Sequence, residues 1–178
     1  QNFLFAALTL ASVFLKVSPT VAAEPTHLSP TALAASPDGK TLYVACATAN
    51  QVALFDVASA KIVRSISLPG SPTGLALSQD GARLYVTCAK PASLIGVVDV
   101  REGKVIETIP AGHTAMGPVL APDGKRLFVC NRFNDDVSII DLSAKKELRR
   151  VKVKREPVAA AVTPDGKFLL VANHLHQG

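Results

Sequence analysis

Apolar and polar positions alternate along this chain in short runs, and the same turn residues cut the runs apart. Residues 31–36 form a first apolar run that ends at Pro37-Asp38-Gly39. There proline presets φ at the first corner, aspartate bonds its own backbone, and glycine takes the left-handed conformation that closes a tight hairpin. Residues 41–46 return as a second strand, and a polar loop at 47–51 leads into a third at 52–57. Ala58-Ser59-Ala60 then turns the chain into a fourth strand at 61–68. Alternation of period two between turn signals predicts strands rather than helices. Four of them joined by short turns make one antiparallel sheet.

The unit recurs. Its turn glycines are Gly39, Gly81, Gly124 and Gly166, at steps of 42, 43 and 42 residues. The second unit has its strands at 73–78, 83–88, 94–100 and 104–109, and the third at 116–121, 126–131, 137–142 and 147–153. The fourth has two, at 158–163 and 168–173, and reaches Gly178 in the loop before its third strand. A β-type repeat of this period predicts an all-β fold, a β-propeller of four-stranded antiparallel blades. Blades are expected at 31–68, 73–109 and 116–153, with a half-blade at 158–178. Propellers close with roughly four to eight blades, and half a blade leaves an apolar edge open to pairing. The sequence therefore reads as a fragment with about three and a half blades of a propeller of about seven.

Ahead of the repeats, residues 3–15 are a nearly unbroken apolar run of 13. That length suits the core of an export signal and is short for a transmembrane helix. Val21 and Ala23 supply small residues for a cut after Ala23. Residues 1–23 are predicted to be a signal peptide and 24–30 a lead-in, with an uncleaved membrane anchor as the rival reading. The protein is then exported, to a periplasmic, cell-surface or secreted location. Composition agrees with a folded chain: 48% of residues are hydrophobic and 19% charged, which excludes general disorder. Tryptophan is absent, which argues against the WD-signature repeats of similar period. The net charge of +5 is by itself a statement about solubility.

The second strands carry a resemblance. Tyr43-Val44-Ala45-Cys46, Tyr85-Val86-Thr87-Cys88, Phe128-Val129-Cys130-Asn131 and Leu170-Val171-Ala172-Asn173 are similar to the Tyr-Val-Thr-Asn signature of the YVTN family of bacterial and archaeal β-propellers. Residues 52–56, 95–99 and 137–141 resemble that family's third strand. Cys46 and Cys88 depart from the signature, which has asparagine there. The resemblance implies an exported propeller, most of whose relatives have no known ligand and some of which carry a cytochrome c type domain after the propeller. Lactonases and amine dehydrogenase subunits are related propellers, and kinship of that breadth does not choose a function.

In such a scaffold the first strands lie innermost and the Asp-Gly turns gather on one face. The opposite face collects the loops before each first strand and after each second strand, where a propeller binds its ligands. Asn131, Arg132, Arg155, Asn173, His174 and His176 fall in or beside those loops and are the candidate ligand-binding residues. A planar guanidinium there suits carboxylate or phosphate. His174 and His176, two apart, suit a metal or haem iron, with exposed loop histidines as the plain reading; His113 lies in the same face with the same plain reading. Asn131, Asn134, Asp135 and Asp136 offer oxygen atoms but lack the spacing of a calcium loop, so no metal site is assigned. Asp56, Asp99 and Asp141 recur with the repeat and are expected to cap turns. The alternation in Arg150-Val151-Lys152-Val153-Lys154 reads as the wet face of an outer strand. Nothing aromatic or groove-reading accompanies it, so nucleic acid is not an expected partner.

The three cysteines form neither Cys-x-x-Cys nor Cys-x-x-Cys-His, so no cofactor is expected on these residues. Cys46 and Cys88 occupy equivalent places in neighbouring blades, too far apart to bridge, and Cys130 is one residue out of phase. Three free, buried thiols follow. No Ser-His-Asp set can be placed, so no enzyme activity is argued from this stretch. The leading expectation is an exported, non-catalytic propeller that binds a protein, glycan or small ligand through its loop face. The alternative is the propeller of a periplasmic redox protein, associated with a haem c domain or redox partner beyond the fragment. A lactonase-like hydrolase is the third reading.

Overall fold

A computed structural model describes residues 28–174. The expected export signal at 1–23 and the candidate residue His176 lie outside the described residues. Strands β1 (Pro30–Ala35), β2 (Thr41–Cys46), β3 (Gln51–Asp56) and β4 (Lys61–Ser67) form the first antiparallel sheet in simple meander order. The second contains β5 (Pro72–Leu77), β6 (Arg83–Cys88), β7 (Leu94–Asp99) and β8 (Lys104–Pro110). The third contains β9 (Ala115–Leu120), β10 (Arg126–Asn131), β11 (Asp136–Asp141) and β12 (Lys146–Lys152). β13 (Pro157–Val162) and β14 (Leu169–Asn173) form a two-stranded fourth sheet. The fold is a β-propeller of three four-stranded blades and the two inner strands of a fourth.

Local chemistry makes each turn. In blade one, Asp38 Oδ1 accepts from Ser36 Oγ at 2.6 Å and from the Lys40 amide at 3.1 Å, while Ser36 Oγ accepts from the Thr41 amide. Ser78 and Asp80 repeat this in blade two, and Thr163 and Asp165 in blade four. Blade three has Ala121 at the hydroxyl position and keeps only the bond from the Lys125 amide to Asp123. Asp56, Asp99 and Asp141 accept from backbone amides two or three residues on, capping the turns after β3, β7 and β11.

Blades stack through alternate residues of the same strands. Tyr43, Val52, Leu54 and Ile66 of blade one meet Leu84, Val86, Cys88 and Val98 of blade two. The other face of blade two presents Tyr85, Ile95, Val97 and Ile109 to Leu127, Val129 and Ile140 of blade three. A middle blade is therefore apolar on both faces, and five of the six β6 residues are buried. Full burial of each such Ile, Val or Leu stabilises by about 1.5–3 kcal/mol. The first strands are innermost and adjacent. Thr31 Oγ1 donates to the Pro72 carbonyl at 2.9 Å, and Thr73 Oγ1 to that of Ala115 at 2.6 Å, tying β1 to β5 and β5 to β9. Between β9 and β13 the tie is close packing. A Cβ on Gly117 (φ +50°) would lie 2.8 Å from Ala159 Cα, so glycine is needed there. All three cysteines are buried and free.

Candidate functional site at the loop face

One hydrogen bond recurs in every blade at the end opposite the Asp-Gly turns. The residue after each second strand, Ala47, Ala89, Arg132 or His174, donates its amide to the residue before the first strand. The acceptors are Ser29, Ser71, Thr114 and Glu156. Ser29, Thr114 and Glu156 adopt left-handed φ of 45°, 53° and 52°. The two loop sets thus interlock, and three of the four acceptors carry a side-chain hydroxyl. The exception is Glu156.

Glu156 gathers the site. Arg132 donates to its Oε2 through Nε at 2.9 Å and Nη2 at 2.7 Å, reaching from blade three to the loop that opens blade four. His174 Nδ1 stands 3.5 Å from the same oxygen. The Glu156 amide donates to Asp135 Oδ1 at 2.9 Å. Arg132 beside Glu156 holds that carboxyl below the usual carboxylate range, with His174 adding in the same direction. Glu156 is therefore an anion that clamps two loops, and its clamped partner carries the aromatic group of the face.

That group is Phe133. Residues Arg132–Asn134 form one turn of 3-10 helix, where alternation had indicated only a loop. The turn lifts Phe133 to 53% exposure. The Arg132 guanidinium lies 5.0 Å from its ring centroid and the His113 ring meets it edge-on at 5.2 Å and 81°. His113 is itself fixed: its amide donates to Asn134 Oδ1 at 2.6 Å, and its Nδ1 is 2.9 Å from Thr114 Oγ1. An exposed aromatic ring braced by a guanidinium and an imidazole can take up an apolar or π-bearing partner beside the positive charge of Arg132.

The candidate residues separate by burial. Asn131 has no exposed surface; it accepts from the Gly112 amide at 2.9 Å and donates to Asp136 Oδ1 and Ser138 Oγ at 2.7 Å each. It is a structural knot under the face, not a contact on it. Asn173 is its counterpart in blade four, and its Oδ1 is buried without a partner among the described residues. Arg132 and His174 share Glu156. Arg155 is exposed and makes no hydrogen bond or ion pair among the described residues. The oxygen atoms of Asn131, Asn134, Asp135 and Asp136 do not converge: each accepts from a different amide or side chain. Among the described residues no three His, Cys, Asp or Glu side chains cluster as metal ligands. Sequence reasoning missed Glu156 and Phe133. The departure of Glu156 from Ser29, Ser71 and Thr114 is a signal that could have found it.

Neither a family model nor a curated protein matches this chain. Among solved structures, a chain of Kuenenia stuttgartiensis hydrazine synthase is similar at 25% identity with a TM-score of 0.77, over 86% of this chain. This chain spans 44% of the length of that one. The likeness shows a common fold across the repeats.

Proposed function

We propose that this chain is an exported β-propeller scaffold of the YVTN type that binds an anionic protein, glycan or small ligand at its loop face without catalysing a reaction. The observation that carries the reading is Phe133, exposed and held between Arg132 and His113. Aromatic residues, phenylalanine included, and arginine are enriched at binding interfaces. Arg155 and Lys154, both exposed, supply positive charge next to the clamp. A ligand acid would meet Arg155 while its apolar part covers Phe133. The test is a screen of acidic peptides and acidic glycans against the protein and its Phe133→Ala and Arg155→Ala variants. Each variant should weaken a positive interaction at least tenfold, and unchanged affinity in both would remove the face from the reading.

The likeness to hydrazine synthase supports a second reading, in which the propeller belongs to a redox assembly with a haem c domain beyond this stretch. Pyridine haemochrome absorbance of the full-length protein separates the two. A haem signal favours the redox assembly, and its absence favours the plain scaffold.

A further inference from the structure

The Asp-Gly turns lie at the opposite end of the blades, and one of them differs. Blades one, three and four have proline ahead of the aspartate, at Pro37, Pro122 and Pro164; blade two has Gln79. The proline of one turn faces the glycine of the next. A Cβ on Gly81 would lie 3.2 Å from Pro37 Cδ, and one on Gly166 would lie 3.7 Å from Pro122 Cδ. Gly124 is the glycine that follows Gln79, and it has nothing within 4 Å of the same position. The seam therefore opens between blades two and three. A cleft of about 340 Å³ occupies the gap, walled by Leu77, Leu120, Pro122 and Pro164, with Gln79 and Gly124 at the opening and Tyr85 below. An adjoining hollow on the same residues reaches Asp80 and Arg83.

The lining defines the ligand. Leucine and proline walls favour a flat apolar ring, and a volume near the lower end of the small-molecule range favours one ring system over several. The polar groups are mainly donors. Tyr85 is 9% exposed, and burial pushes its phenol up, so it keeps its proton at neutral pH. Neither its hydroxyl nor the Gln79 amide has a hydrogen-bond partner among the described residues. Arg83 uses Nη1 on Asp99 at 2.5 Å and on the Ala82 carbonyl at 3.2 Å, leaving the rest of its fork unengaged among the described residues. Asp80, the acid at the rim, accepts from Ser78 Oγ and the Ala82 amide within its own turn. We propose that this cleft is a second binding site, distinct from the loop face, for a single-ring aromatic carboxylate. The ring lies between Leu77, Leu120 and Pro122, and the carboxylate accepts from Tyr85, Gln79 and Arg83.

Benzoate is the probe and benzamide its neutral counterpart, followed by amide chemical shifts on the isotope-labelled protein. Benzoate should move the Gly124 amide and the Gln79 side-chain amide saturably below about 10 mM, as a Kd near 1 mM requires. Benzamide should bind at least threefold more weakly. Gln79→Pro restores the residue of the other blades, so it should keep or raise the urea midpoint while weakening benzoate at least tenfold. Tyr85→Phe preserves the packing and should weaken benzoate at least threefold. Phe133→Ala, on the opposite face, should leave benzoate unaffected, which separates this site from the loop face. Absence of a saturable Gly124 shift, or unchanged binding in Gln79→Pro and Tyr85→Phe, overturns the assignment.

Discussion

Asn131→Cys would give blade three the residue that blades one and two already carry, and the structure says it should be costly there. In blade two, Cys88 pairs with Leu94 and has Gly96 as its diagonal neighbour, and in blade one Cys46 pairs with Gln51 and has Ala53 diagonal to it. Neither set demands an amide. In blade three the paired residue is Asp136 and the diagonal one Ser138, both buried and both bonded to Asn131, and the loop above offers the Gly112 amide. A thiol is at best a weak partner for any of them. An orphaned buried amide costs about 1–2 kcal/mol, and a buried carboxylate losing a hydrogen bond about 1.5–3 kcal/mol. Ser138 keeps its bond to Glu147, so its loss is small, and Lys152 at 3.5 Å eases Asp136. The expected destabilisation is about 3–4 kcal/mol. At an m-value of about 2 kcal/mol/M in urea, the midpoint falls by about 1.5–2 M. Adding Asp136→Leu and Ser138→Gly, the residues of blade two, removes the orphans and should recover at least half of the loss. A single variant within about 0.5 M of the parent, or a triple variant no better than the single, would refute the argument.

Two further outcomes follow from ionisation. Burial pushes the Cys130 thiol up to about 11 from 9.0, and pushes Cys88 up as well. Thiolate at Cys130 is thus about 100-fold scarcer at pH 8 than in the unfolded chain, so a disulfide reagent should label it at least that much more slowly in the native protein than in urea; equal rates would contradict the burial. Glu156 has a depressed carboxyl, so its clamp contributes stability above the ordinary carboxylate range and loses it as pH falls through the depressed value. The gap in urea midpoint between the parent and Arg132→Ala should hold from neutral pH down to the ordinary carboxylate value, about 4.3, and narrow progressively as pH falls below it. A gap as wide at pH 3 as at pH 7 would mean that Arg132 acts through packing on Phe133 instead.

The blades were legible because their causes are local. Alternation selects which residues leave each side of a strand, and an Asp-Gly turn closes each hairpin with bonds between neighbours. The site was legible only in part. Arg132 and His174 are marked by their place in the loops after the second strands, but Glu156 reads as an ordinary loop acid until it lies 2.7 Å from Arg132. Asn131 shows the reverse. Its place in the signature marked it as a candidate contact, yet Gly112, Asp136 and Ser138 close around it and take its amide out of reach.

By itself the sequence determined the repeat, the four-strand order and the faces to which turns and loops go, since each depends on residues within a few positions of one another. The tertiary structure alone decided what those loops do. Arg132 meets Glu156 across 24 residues because stacked blades bring their loops together, and the gap beside Gln79 exists because the proline that elsewhere packs against the next blade's glycine is missing there. Contacts between blades depend on two copies at once, so a single repeat, however clearly written, does not contain them.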